Sequence, residues 1–431
     1  MRKLYVVGLV VLFLSGCVSY SSSFQRIEQL LAQQKPQQAL LELEKHPATG
    51  TDKLLYLMDK AMLQRLSGLY KESNTTFEEA KKHIESLRGT SLLEQAGALT
   101  INDSTMSYEG EDYEQVAIHI YAALNYIALG LLDEARVEAL QVDLLLKTMA
   151  TDESGFVEHA FSRYLTGLIY EAGGELDNAL IAYRKAYQAY EKSENTLQVT
   201  TPVYLKKDLL RLTKKLGLLN EYVDFQKKFA LADVPAQKAK NMGEVVLLLH
   251  IGLAPIKRSQ SLFVNADDGV PVRISMPVYQ SRPSVIMGAK LMVGDVVAKA
   301  ELVDNIDANA KASLESHKGE MMARLIARAV AKAAIANQVG NQGGDLAGFL
   351  VDVVAMATET ADTRSWLTLP KSILLSRLQL KAGVYPLQLE LVGRHGQSLG
   401  MVDLGEVEVQ KGKIFFIEKM YISPPLPQVV M

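Results

Sequence analysis

Cys17 is the only thiol in the 431 residues, and it directly follows Leu14, Ser15 and Gly16. A lone thiol serves as nucleophile, metal ligand or acylation site, and its neighbours decide which. Arg2 and Lys3 lead an apolar run of eleven residues, 4–14. That run is short of the roughly 20 residues a membrane-crossing helix needs. A positive start, a short apolar stretch and a small-residue boundary are the marks of an export signal. Other reactive groups do not converge. Histidines stand at 46, 83, 119, 159, 250, 317 and 395, with no pair at helical metal-ligand spacing. Gly340-Asn341-Gln342-Gly343-Gly344 lacks the lysine and hydroxyl residue of a phosphate loop. No Gly-x-Ser-x-Gly elbow is present. Asp267-Asp268 precede Gly269 as a turn would, and Glu111-Asp112 follow Gly110 in a loop-like stretch. The reading is a protein that is not an enzyme, with no metal and no cofactor.

The stretch ending at Cys17 resembles the bacterial lipobox. That resemblance implies cleavage before Cys17, a diacylglycerol on its sulfur and a further acyl chain on its nitrogen. Residues 1–16 are then a signal peptide and 17–23 a lipidated tether. Two chains already suffice for stable attachment. Val18 and Ser19 follow the cysteine where lipoproteins kept at the inner membrane often carry Asp, so the pattern is similar to the outer-membrane class. The expected location is the outer membrane, facing the periplasm. Loss of Arg2 and Lys3 with the signal moves the formal charge from -3 to -5. This balance argues against nucleic acid as a partner, which demands a clustered basic surface.

The elements that must position any site fall into two groups, giving an α+β expectation. Residues 24–232 read as an α-helical solenoid: long amphipathic runs with glycines at connections. Similarity recurs near the 34-residue period of tetratricopeptide (TPR) units. Gly167, Tyr170, Ala179, Tyr183 and Ala186 mark the best copy; Ala123, Tyr126, Gly130 and Ala135 mark a second; Ala61, Gly68, Tyr70, Phe77 and Ala80 mark a third. A degenerate first copy contains Ala39, and insertions are expected near 90–112 and 148–155. TPR stacks bind peptides along a concave face. Phe161, Tyr164, Leu168 and Glu171 stand where helix-A residues line that face, which makes Phe161, Tyr164 and Glu171 the expected partner-binding patch.

Residues 244–425 read as a strand-rich, β-sandwich-like domain, antiparallel, after a linker near 233–243. Residues 245–250, 273–276 and 284–292 are strand candidates, and Leu387, Leu389 and Leu391 alternate with polar residues. Residues 402–409 and 413–422 look like a strand–turn–strand unit around Lys411-Gly412. An alanine-rich helical insertion spans about 305–361. In it Arg324, Arg328 and Lys332 recur every four residues and should share one solvated face. An interfacial membrane role for helices 321–357 is the competing expectation.

Tyr108-Glu109-Gly110-Glu111-Asp112-Tyr113-Glu114, the run 123–130, Ala135-Arg136-Val137-Glu138-Ala139, the run 252–257 and Ala361-Asp362-Thr363-Arg364-Ser365-Trp366-Leu367-Thr368-Leu369-Pro370 resemble a widespread family of uncharacterised bacterial outer-membrane lipoproteins with TPR-like N-terminal halves. Leu140-Gln141 depart from the basic pair often found there. The resemblance implies architecture and carries no activity. The functional expectation is a lipid-anchored periplasmic scaffold or adaptor. Its TPR-like helices would bind an envelope protein or peptide, in a role such as regulating cell-wall synthesis or envelope assembly. The alternative is a membrane-interacting or export-pore accessory protein acting through 321–357.

Overall fold

A computed structural model describes residues 24–48, 50–88, 106–151, 159–231, 235, 241–265, 271–343 and 361–423. Cys17, its signal and tether, most of the two expected insertions and linker, and the second apolar stretch of the alanine-rich region lie outside them.

Among the described residues ten helices come first: α1 (Gln25–Ala32), α2 (Pro36–Glu44), α3 (Lys53–Leu66), α4 (Tyr70–Arg88), α5 (Asp112–Ala128), α6 (Leu132–Thr151), α7 (Ala160–Ala172), α8 (Leu176–Leu197), α9 (Val203–Lys215) and α10 (Leu219–Phe229). They form five helix–turn–helix pairs, one more than the repeat pattern indicates. Each pair turns through one left-handed residue: Gln34 (φ 59°), Gly68 (80°), Gly130 (74°), Gly174 (82°) and Gly217 (75°). At every turn the left-handed residue donates its N–H three residues back, and the next residue donates five back, as Gly68 to Arg65 and Leu69 to Gln64. This Schellman closure satisfies carbonyls that the helix end would otherwise strand. Helices then approach closely where the repeat has small residues. A Cβ on Gly167 would sit 2.4 Å from the Tyr183 ring.

The second half contains β1 (Met242–Ile251), β2 (Ile256–Asn265), β3 (Pro271–Gln280), β4 (Ile286–Val293), β5 (Val296–Lys299), β6 (Glu301–Asn305), α11 (Ile306–Ser316), α12 (Lys318–Gly343), β7 (Ser372–Lys381), β8 (Gly383–Gly393), β9 (Ser398–Val409) and β10 (Ile414–Tyr421). Two four-stranded sheets, β10-β1-β7-β6 and β5-β4-β8-β9, face each other, and β2–β3 is a separate hairpin. The architecture is α+β, a TPR-like helical half followed by a strand-rich half.

Strand β1 explains how the halves join. Val245, Leu247 and Leu249 enter the core between the sheets, whereas Val246 and Leu248 enter the core shared with the helices. Both faces are buried, so the strand reads as a continuous apolar run rather than an alternating one.

Several expectations need correction. The sandwich is not wholly antiparallel, because β10 runs parallel to β1. Residues 402–409 and 413–422 do not form a hairpin: β9 pairs with β8, and Lys411-Gly412 carries the chain to the other sheet. The basic stripe is split. Arg324 is exposed, while Arg328 is buried at 1% beside Leu325 and Ala329, which pack on Ile274 and Met276 of β3. The described part of the insertion is helical over Ile306–Ser316 and Lys318–Gly343, and Ala361 itself is not helical.

Candidate partner-binding groove

Residues 361–371 leave the alanine-rich region and cross the inner side of the helical stack before entering β7. Trp366 is 1% exposed and Thr368 fully buried. The stack reads this strap with two carboxylates. Glu114 of α5 accepts the Trp366 backbone N–H at 2.7 Å. Asp59 of α3 accepts the Thr368 N–H at 3.0 Å and its hydroxyl at 2.7 Å. The indole lies edge-on to Phe77 and Tyr121, each 6.1 Å between ring centres, and its Nε1–H donates to the Thr368 hydroxyl at 2.8 Å. Aromatic pairs in this geometry add to the area they bury. Leu367 enters the apolar cluster of α1 and α2.

Arg364 fixes the strap's leading end. Its Nη1 donates to the carbonyls of Thr51 (3.1 Å) and Met106 (2.9 Å), its other nitrogens grip Asp362, and the guanidinium lies 5.3 Å from the centre of the Tyr108 ring. Buried Glu114 also accepts from the Tyr108 hydroxyl at 2.6 Å and the Glu111 N–H at 3.2 Å. Burial raises its carboxyl above the usual range and Glu111 adds to this, against the donors from Trp366 and Tyr108. Such a carboxylate is tolerated because donors surround it.

Phe161, Tyr164 and Glu171 do not line an open groove. All three are buried, at 3%, 0% and 9% exposure, Tyr164 against the strand-rich half and Glu171 among α8 and α9 of the helical half. The Tyr164 hydroxyl donates to Asp208 of α9 at 3.1 Å and accepts from Arg377 of β7 at 3.1 Å. Arg377 also bonds Asp208, and its Nε donates to Glu244 of β1 at 2.7 Å. Glu171 accepts from Tyr183 at 2.9 Å and from Arg211 at 2.7 Å. Burial alone would depress Arg377, but the Asp208 and Glu244 carboxylates override it and hold its pKa well above the usual value. The expected patch is thus engaged within the chain itself, Tyr164 by the second half and Glu171 by neighbouring helices.

A cleft of about 630 Å³ opens where the strap begins, lined by Tyr108, Glu111, Lys257, Met321, Arg364 and neighbours. Lys257 of β2 pairs with Glu111 across it. Histidines serve the scaffold: His119 bonds Glu138 at 2.7 Å, and His250 contacts Tyr121 at 3.3 Å and Glu418 at 3.0 Å. Among the described residues no group of three or more His, Cys, Asp and Glu is arranged to hold a metal ion, and no helix is long and apolar enough to cross a membrane.

Asp59, Asp208 and Arg377 were not marked by sequence reasoning, and Glu114, Trp366 and Thr368 stood only inside stretches that carry the family resemblance, with no role assigned. The usable signals were the chain's only tryptophan in a proline-terminated stretch, and acids embedded in apolar helix faces.

No protein-family model matches the chain, and no curated protein is significantly similar to it. Solved structures similar to it are helical-repeat proteins. A tetratricopeptide repeat protein from Parabacteroides merdae is 16% identical, covering 49% of this chain and 67% of its own (TM-score 0.31). A Podospora anserina putative kinesin light chain with TPR-like repeats is 17% identical, covering 49% and 97% (0.32). BtubC from P. vanneervenii is 13% identical, covering 50% and 79% (0.30).

Proposed function

We propose that this protein is a lipid-anchored scaffold of the bacterial envelope that binds a protein partner through its TPR-like half. One observation carries the reading: the inner side of the helical stack already grips a non-helical stretch of polypeptide by its backbone, with Glu114 and Asp59 as acceptors. Reading backbone N–H groups with side chains while an aromatic anchor fills a pocket is a protein-recognition mode. The cleft at the strap's leading end gives a partner segment a way in. The lipobox-like stretch at Cys17 supports the anchor, and Val18-Ser19 support the outer membrane. Regulation of cell-wall synthesis or envelope assembly fits such an adaptor. Crosslinking intact cells and capturing the protein tests this. A discrete envelope polypeptide is expected; its absence at full expression counts against the scaffold.

A second reading, membrane contact through α12, is favoured by the exposed Ile326 (38%) and Val330 (45%) beside Arg324. Apolar and basic side chains on one helix suit an anionic lipid surface.

A further inference from the structure

The strap is held as a bound ligand would be held. Five features of residues 364–368 are read by the helical half and its neighbours. The guanidinium of Arg364 meets two backbone carbonyls and the Tyr108 ring. The Trp366 N–H meets Glu114, its indole meets Phe77 and Tyr121, Leu367 enters an apolar cluster with Leu63, and Thr368 meets Asp59 twice. Ala361, Asp362 and Arg364 line the cleft, so the seat is continuous with the molecular surface at one end.

We propose that this seat is a receptor for polypeptide segments of the pattern Arg-Ser-Trp-Leu-Thr, occupied in cis by the chain's own residues 364–368. A partner that carries a tryptophan followed two residues later by a hydroxyl side chain competes for it. The seat selects tryptophan because Phe77 and Tyr121 both meet the indole in T-shaped contacts and the Thr368 hydroxyl takes its Nε1–H. The hydroxyl residue at +2 serves twice, accepting from the indole Nε1–H and donating to Asp59. Covalent tethering gives the resident strap an effective concentration on the order of millimolar, so a free segment displaces it only above that concentration, when it binds more tightly, or when the strap is weakened. The groove is therefore gated by its own ligand. This inference rests on the scaffold reading above and names the chemistry of the partner segment.

The test titrates a dye-labelled peptide of residues 361–370 into the full chain carrying Trp366→Ala and Thr368→Ala, followed by fluorescence polarisation. Saturable binding at least tenfold tighter than to the unaltered chain is expected, together with loss of binding when the peptide's tryptophan is replaced by alanine. A variant that melts cooperatively yet binds no better than the unaltered chain overturns the proposal, as does equal binding of the alanine peptide. If the double variant does not fold, the unaltered chain decides. Trp366 is its only tryptophan, so peptide in excess of the strap's millimolar effective concentration, carrying the almost non-fluorescent 4-fluorotryptophan in place of tryptophan, should raise acrylamide quenching of Trp366 as the strap leaves its seat. Unchanged quenching overturns the proposal. Peptide binding without any envelope partner would sink the scaffold reading alone; a captured partner with a groove that ignores the peptide would sink this inference alone.

Discussion

Arg377 joins three elements, because its guanidinium meets Asp208 of α9, Glu244 of β1 and the Tyr164 hydroxyl of α7. Removing one partner of a buried ion pair typically costs about 3–5 kcal/mol, since the remaining charge is stranded. Arg377→Met should destabilise the protein by that order in urea unfolding, and adding Asp208→Asn should recover part of the loss. Asp304 of β6 behaves differently. Burial raises its carboxyl to about 7 from an ordinary 3.8, opposed by donors from Asn305 and Asn309. The folded protein holds this proton more tightly than the unfolded chain. Its contribution is therefore intact below about pH 4 and declines as pH rises to 7. Asp304→Asn should flatten that decline and raise the melting temperature at pH 8, with little change at pH 4. Tyr164 was legible as an inward-facing aromatic from its repeat position. Its partner was not, because Arg377 lies more than two hundred residues away in sequence.

At the scale of elements, turn chemistry was the most readable part. Gly68 and Gly130 were marked by the repeat pattern, and both adopt the left-handed backbone that an L side chain resists. Gln34 was not marked, because a residue with a Cβ occupies the same conformation. Relieving that strain makes Gln34→Gly a stabilising change of about 1 kcal/mol in thermal melts. Gly167→Ala should act oppositely, since its Cβ would lie 2.4 Å from the Tyr183 ring, and overpacking costs about 1–3 kcal/mol. Alternation revealed β8 but could not reveal that β10 pairs in parallel with β1, because pairing is a long-range choice that local pattern does not encode. For α12, four-residue spacing placed Arg324 and Arg328 together, while packing against β3 buried only the second. A chain with Cys17→Ala should bind anionic liposomes weakly or not at all if that packing is the helix's main task. Strong sedimentation with such liposomes would favour the membrane reading.

Across the whole molecule, three of the five stretches that carried the family resemblance meet in one place. The segment from Tyr108 to Glu114, the turn into β2 at Lys257 and the strap from Ala361 onward together build the cleft and the groove. The helical stack and the sandwich were each legible from composition and period. Their union was not, because it depends on buried polar contacts between distant residues, such as Asp59 with Thr368. The proposed anchoring also belongs to this scale. Purified from membranes, the protein should carry a triacylated Cys17 as its first residue, and mass spectrometry of the amino-terminal peptide reads this directly.

The most direct measurement places a photo-crosslinking residue at Glu109 or Glu320, both exposed at the cleft, and at Met401 on the outer strand β9 as a comparison. Irradiation of intact cells should join the two cleft positions, and not Met401, to one discrete envelope polypeptide. Adducts absent from both cleft positions at full expression, or formed only at Met401, would contradict the account.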